Sequence, residues 1–187
     1  ARANLAASTG AGYKFAGSLF DAQRAGNLFG ISMDDAQKAT SGLVDGTANF
    51  AKLNKETRTE MILTTAQLNE LNVDTGTAAE TFQFLNVVLG KSAEQSLDTQ
   101  KQLAVMGDAI GISSQKMTKD FNAALPMLAV YGDKAIKVFS NLAAAAKAAG
   151  VETGTLLNIA KQYDSFSGAA DGAAKLNALL GTQLSTT

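Results

Sequence analysis

The 187-residue chain contains no cysteine, no histidine and no tryptophan, and only one proline, Pro126. Without cysteine there are no disulfides and no thiolate metal sites, and the redox compartment stays open. Without histidine the commonest metal ligand and general base is missing. A single proline argues against a loop-rich or β-sandwich protein. Aromatic residues reach only 6 %, so no thick aromatic core is available. The net charge is -1, with Lys and Arg scattered among Asp and Glu, so no basic face advertises nucleic acid. No run approaches the ~18 apolar residues that a membrane span needs. What is abundant is small: the chain is 46 % hydrophobic, much of it alanine, and carries 17 glycines. Such a composition packs helices closely, and its length suffices for one ordinary core.

Within this composition one local pattern recurs. A Gly or Asn, then Ile or Val, then a short polar or acidic residue stands at Gly30-Ile31-Ser32, Asn72-Val73-Asp74, Gly111-Ile112-Ser113 and Gly150-Val151-Glu152. The spacings are 42, 39 and 39, which points to an internal repeat. The pattern has a physical reading. Gly just past a helix end adopts the left-handed conformation without cost, and Asn is its usual substitute. The Ile or Val that follows packs on the finished helix, while Ser32, Asp74 and Ser113 accept bonds from the free N–H groups of the next helix. Glu152 is a poor cap, so Thr153 is expected to serve in the fourth copy. Each tripeptide is a helix stop fused to a helix start, a folding signal rather than a binding motif.

The predicted fold is all-α, with about eight or nine helices in αα-hairpin units of roughly 40 residues. Residues 1–30 form a Gly/Ala-rich opening segment with one helix from about Tyr13. A repeat region over 31–187 follows, in units 31–72, 73–111, 112–150 and 151–181. Ser32 with Asp35, and Ser92 with Gln95, have capping-box spacing. The first unit divides at Gly46, with a second helix near Asn54–Leu71 whose apolar side carries Met61, Ile62, Leu68 and Leu71. The second unit divides at Gly90, after a helix showing Phe82, Leu85, Val88 and Leu89. The third divides at Gly132, with Asp133 as cap, and its second helix places Ile136, Phe139, Leu142, Ala143 and Ala146 on one face. Pro126 is expected to kink or divide that unit's first helix. The last unit places helices near Thr155–Tyr163 and Ala169–Leu180. The first residue is Ala rather than Met and the helical pattern runs almost to Thr187, so an internal piece of a longer polypeptide is expected.

Few residues suggest chemistry, and each has a plainer explanation. Gly12 and Gly17 have phosphate-loop spacing, but Ser18 stands where the lysine is needed and no strand precedes them. Asp34-Asp35 could serve acid–base or metal chemistry, yet they occupy a helix start, where acidic residues suit the dipole. Asp164, Asp171 and Gly172 lack calcium-loop spacing and its terminal Glu. Gly pairs four apart at 26/30, 42/46, 107/111, 150/154 and 168/172 suit close helix packing at joints, since their charged flanks disfavour a lipid setting. No catalytic, cofactor-binding or metal residues are assigned, and no enzyme activity or cofactor is expected.

Four runs carry a family likeness: Ala129-Val130-Tyr131-Gly132-Asp133, Phe139 through Gly150, Gln162-Tyr163-Asp164-Ser165-Phe166, and Lys175-Leu176-Asn177-Ala178-Leu179-Leu180-Gly181. From about Ile31 to Gly181 the chain resembles the tail tape measure proteins of long-tailed bacteriophages. That resemblance implies a mostly helical virion protein that occupies the tail tube lumen, sets tail length during assembly, and leaves before or with the DNA. It implies three or six copies, with the tail tube protein and the tail tip or baseplate hub proteins as partners. Localisation would be the virion tail interior, after assembly in the host cytoplasm, with membrane contact only after ejection. No small-molecule ligand and no specific nucleic-acid binding are implied. The compact repeat departs from a continuous coiled coil, leaving an extended, a folded and a tube-axis arrangement open. The alternative function is an α-helical repeat scaffold for protein–protein binding.

Overall fold

The computed structural model describes residues 14–162, and it is 82 % helical, with no strand among the described residues. The α-helices are α1 (Ala16–Gly26), α2 (Met33–Gly46), α3 (Lys55–Glu70), α4 (Thr75–Gln83), α5 (Ala93–Ala109), α6 (Ser114–Leu128), α7 (Ala135–Ala148) and α8 (Thr153–Gln162). Seven of these have ten residues or more, against the eight or nine helices expected for the whole chain. The remaining one, α4, is the shortest and continues as a π-helical turn over Phe84–Val88. The helix expected at 169–180 and the acidic pair at 164 and 171 lie outside the described residues, as does the Gly pair at 168/172. Residues 1–13 of the opening segment lie outside them too.

The chain falls into two compact units that divide between Asn122 and Ala123, within α6. In the first unit α3 is the hub: α1, α2, α4 and α5 all pack against it. From α1 to α3 each helix touches the next and the next but one, so α1 meets both α2 and α3, and α2 meets both α3 and α4. The main core joins Phe15, Leu19, Ile31, Leu43, Phe50, Met61, Ile62, Phe82 and Leu97 to the small residues Ala22, Ala36, Ala39, Ala66 and Ala79. The small residues set the spacing. A Cβ on Gly42 would collide with the Thr75 side chain, and one on Gly46 would lie 2.8 Å from Ala79 Cβ. Glycines four apart on α2 therefore let α4 approach almost backbone to backbone. At the start of the core the Phe15 and Phe50 rings stand 5.3 Å apart, centroid to centroid, tilted by 47°. Arg58 lies over the Phe15 ring and donates from Nη1 to the Leu53 carbonyl, 2.6 Å away.

In the second unit α7 packs against α8, with Ala146, Leu156 and Ile159 buried together and Leu142 and Val151 beside them. The expected face of α7 holds Phe139, Ala143 and Ala146, each fully buried, with Ile136 half-buried.

Four expectations change on physical grounds. Val88 is 56 % exposed rather than packed with Phe82 and Leu85, because the π turn adds a residue and rotates the register after Leu85. Leu71 lies just past α3 and is 43 % exposed, so it leaves the apolar side of that helix. Of the two outcomes expected at Pro126, a kink or a division, the second does not occur: α6 runs on to Leu128 before passing into 3-10 turns over Ala129–Lys134. Asp133 is not a cap either: α7 starts at Ala135, and Lys134 holds the cap position with no side-chain cap bond.

Candidate functional site: the four helix joints

The residues singled out in the sequence stand at four turns of one geometry. Gly30, Asn72, Gly111 and Gly150 have φ of 81°, 62°, 68° and 68°, and Asn72 is the only non-glycine residue with positive φ among the described residues. Each donates its N–H three residues back: Gly30 to Asn27 O at 3.2 Å, Asn72 to Asn69 O at 2.9 Å, Gly111 to Asp108 O at 3.1 Å, Gly150 to Lys147 O at 3.1 Å. The next residue donates five back: Ile31 to Gly26 O at 3.1 Å, Val73 to Leu68 O at 2.9 Å, Ile112 to Gly107 O at 2.8 Å, Val151 to Ala146 O at 2.9 Å. This paired-bond, left-handed cap (the Schellman arrangement) satisfies carbonyls that the helix end would otherwise leave free.

The apolar residue after the turn anchors it. Ile31 and Val73 are each 1 % exposed, while Ile112 and Val151 are half-buried. Val73 joins Leu68, Ala78 and Ala104 in a small core of its own. At two of the four joints the residue five back is a glycine that leaves room. Gly26 does so for Ile31, since a Cβ there would lie 2.8 Å from Ile31 Cβ, and Gly107 does so for the Ile112 carbonyl, 2.7 Å from such a Cβ.

The third position starts the next helix. Ser32 accepts from the Asp35 N–H while Asp35 accepts from the Ser32 N–H, a reciprocal capping box. Asp74 accepts from the Thr77 N–H at 2.8 Å, and Ser113 from the Lys116 N–H at 3.3 Å. In the fourth joint α8 begins at Thr153, so Glu152 and not Thr153 occupies the cap position. The capping bonds stabilise the charged form of their carboxylates. Asp35 is held below the usual carboxylate range by the Ser32 hydroxyl and then by the Ser32 N–H. Asp74 is lowered by the Thr77 hydroxyl, by the Thr77 N–H, and by the charge of Lys119.

The other candidate residues are drawn into local structure. Gly17 sits inside α1 against the Lys55 side chain rather than in a loop, and Gly12 lies outside the described residues. Asp34 and Asp35 part company, Asp34 pairing with Lys38 at 2.7 Å while Asp35 caps α2. Among the described residues no three His, Cys, Asp or Glu side chains group to hold a metal, and no helix is long and apolar enough to cross a membrane.

Sequence reasoning missed a second set of contacts, polar pairs that bridge helices 40 or 41 residues apart in the chain. Arg58 Nε donates to Ser18 Oγ at 3.3 Å, Lys101 Nζ to Glu60 Oε1 at 3.4 Å, and Thr81 Oγ1 to Asn122 Oδ1 at 2.6 Å. The available signal is a polar residue beside a buried aromatic: Thr81 precedes Phe82 and Asn122 follows Phe121, and both rings are buried. It also missed the exposed apolar residues Leu28 and Phe29 at the first joint, 92 % and 66 % exposed. The joints themselves offer backbone hydrogen bonds and cap groups already in use, which is chemistry for fixing chain direction. Comparison with known protein families, with curated proteins and with solved structures finds no match to this chain.

Proposed function

We propose that this chain is a structural, non-enzymatic segment of a phage tail tape measure protein, built as a run of αα-hairpin units of about 40 residues. The observation that carries the repeat is the likeness of the four joints at 30, 72, 111 and 150, with the same two backbone bonds and the same sign of φ. Packing supports hairpins in the first two units, where α2 touches α3 and α4 touches α5. The tail assignment rests on the resemblance of residues 129–133, 139–150, 162–166 and 175–181 to that family. On this reading several copies occupy the tail tube lumen, in contact with the tube protein and the tip or hub proteins, and leave at DNA ejection.

A second reading, a helical repeat scaffold for protein binding, is favoured by Leu28, Phe29 and Leu71, which stand exposed at two joints. The two readings separate in one experiment. Residues 112–150 are deleted in frame from the full-length phage protein, joining Gly111 to Val151 so that a stop-and-start joint survives. A straight helix of that length would shorten the tail by about 58 Å. A folded hairpin unit, as proposed here, shortens it by about half of that or less, by the same rise per residue. Electron micrographs of tails measure the difference. Full-length tails on fully infectious particles would overturn the tail role.

A further inference from the structure

At each of the four joints the residue just before the left-handed position is apolar: Phe29, Leu71, Ile110 and Ala149. In the first compact unit three of them fall on one edge. There α1 and α3 run parallel, since Ser18 bonds Arg58, and a Cβ on Gly26, further along α1, would touch Leu63, further along α3. The same holds for α3 and α5, because Glu60 pairs with Lys101, and Leu68 and Ala104, further along each, share one small core. The C-terminal ends of these helices, and with them the first three joints, therefore lie side by side.

The edge is apolar and open. Phe29 is 66 % exposed, Leu71 is 43 % exposed, Ile110 is half-buried, and Leu28 stands almost fully clear beside Phe29. Helices in contact lie about 8–10 Å apart, axis to axis, so the row advances by that much from joint to joint. Seven residues of α-helix rise about 10.5 Å, nearly the same step. One helix laid along the edge can thus set an apolar side chain against each of the three joints.

Charge selects among such helices. Glu70 and Asp108, exposed beside Leu71 and Ile110, make no ion pair among the described residues. The cations nearby are engaged: Lys38 pairs with Asp34, Lys116 pairs with Asp120, and the charges of Lys119 and Arg24 act on Asp74 and Asp21. The uncompensated charge at this edge is negative.

We propose that Leu28, Phe29, Leu71 and Ile110, flanked by Glu70 and Asp108, dock a basic amphipathic helix of a partner protein. Its apolar residues recur every seven positions and seat on the joints, while Lys or Arg beside them meet the two free carboxylates. The inference rests on the scaffold reading, names its partner class, and needs no tail assignment.

The test titrates the whole 187-residue chain with a synthetic helix of about three heptads, Leu at seven-residue spacing, Lys beside each Leu and Ala elsewhere. Amide shifts are followed by NMR, and affinity by fluorescence anisotropy of the labelled peptide. Saturable shifts are expected at Phe29, Leu71 and Ile110. Phe29→Ser and Leu71→Ser should each weaken binding by about tenfold or more, as loss of a central apolar anchor does. Glu70→Lys with Asp108→Lys should weaken it too and reduce its salt dependence. Val87→Ser, an exposed apolar residue at the far end of α4, should change nothing. Equal binding by a peptide of scrambled order or with Glu in place of Lys overturns the proposal, as does unchanged binding in Phe29→Ser and Leu71→Ser. Shifts on another surface alone overturn it as well and leave the scaffold reading standing. Sedimentation showing that the chain alone pairs through Phe29 would put a second copy on the edge and overturn it.

Discussion

The four joints and the three connections between them solve the same problem in opposite ways. At residues 30, 72, 111 and 150 one backbone solution is used each time, with the same two hydrogen bonds and a left-handed residue. The other connections follow no single pattern. After α2 the chain leaves in an extended conformation at Thr47, makes a 3-10 turn over Phe50–Lys52, and restarts with Asn54 accepting from the Thr57 N–H. After α4 it widens into a π turn, passes through Gly90 at φ 65°, and restarts with the Ser92–Gln95 capping box. After α6 it runs through 3-10 turns with Gly132 at φ 50° and ψ -125°, and restarts without a side-chain cap bond. The chain therefore uses one fixed turn at alternate connections only. The connections between are held by packing, and packing tolerates variety.

The largest break in this comparison is expected inside a joint. Gly107→Leu drives a side chain into the Ile112 carbonyl, 2.7 Å from its Cβ, and neither backbone segment can yield without losing the paired bonds. A loss of about 1–3 kcal/mol or more is expected in chemical denaturation. Gly154→Ala is the control, because a Cβ there meets nothing within 4 Å and α8 gains a better helix former. It should be neutral or stabilising by up to about 1 kcal/mol.

Next in size is the left-handed position itself. At Gly30 and Gly150 an added methyl would meet no atom within 4 Å, so Gly→Ala there tests backbone strain alone. Each should cost about 1 kcal/mol, with Gly→Asn costing less and Asn72→Gly costing nothing or giving a small gain. Thermal melts that rank alanine and asparagine equally at both glycines would remove the left-handed cap from the account.

Smaller effects are expected at the helix starts. Ser92→Ala should cost about 1 kcal/mol. The carboxylate caps add a pH signature. Asp35 and Asp74 have folded pKa values below the ordinary range, so their contribution is present above that range and is lost as pH falls through the lowered values. Wild-type melting should drop below about pH 4, and the Asp35→Asn, Asp74→Asn double variant should flatten that slope. An unchanged slope would mean that these carboxylates do not titrate with folding.

The same contrast explains what the sequence makes legible. The joints depend on a few consecutive residues, so Gly, Ile or Val, and Ser or Asp announce them directly. The helices α3 and α7 follow from their apolar spacing, and the capping boxes at Ser32 and Ser92 follow from theirs. The π turn does not, because nothing in Phe84-Leu85-Asn86-Val87-Val88 marks an extra residue, and only the packing of Leu85 against the unit fixes the register. Asp133 is a better cap by residue type than Lys134, yet the 3-10 turns carry the chain past it before α7 begins. The polar bridges such as Thr81–Asn122 need two helices in contact, which no single stretch encodes.

The equivalence of the joints is tested most directly by amide hydrogen exchange on the whole chain, comparing Ile31, Val73, Ile112 and Val151 with the cap residues Ser32, Asp74, Ser113 and Glu152. The first four N–H groups each bond a carbonyl five residues back, at 2.8 to 3.1 Å. All four should therefore exchange slowly, each more slowly than the cap residue that follows it. Rapid exchange at Ile112 and Val151, with protection confined to Ile31 and Val73, would contradict a common joint and reduce the repeat to a coincidence of sequence.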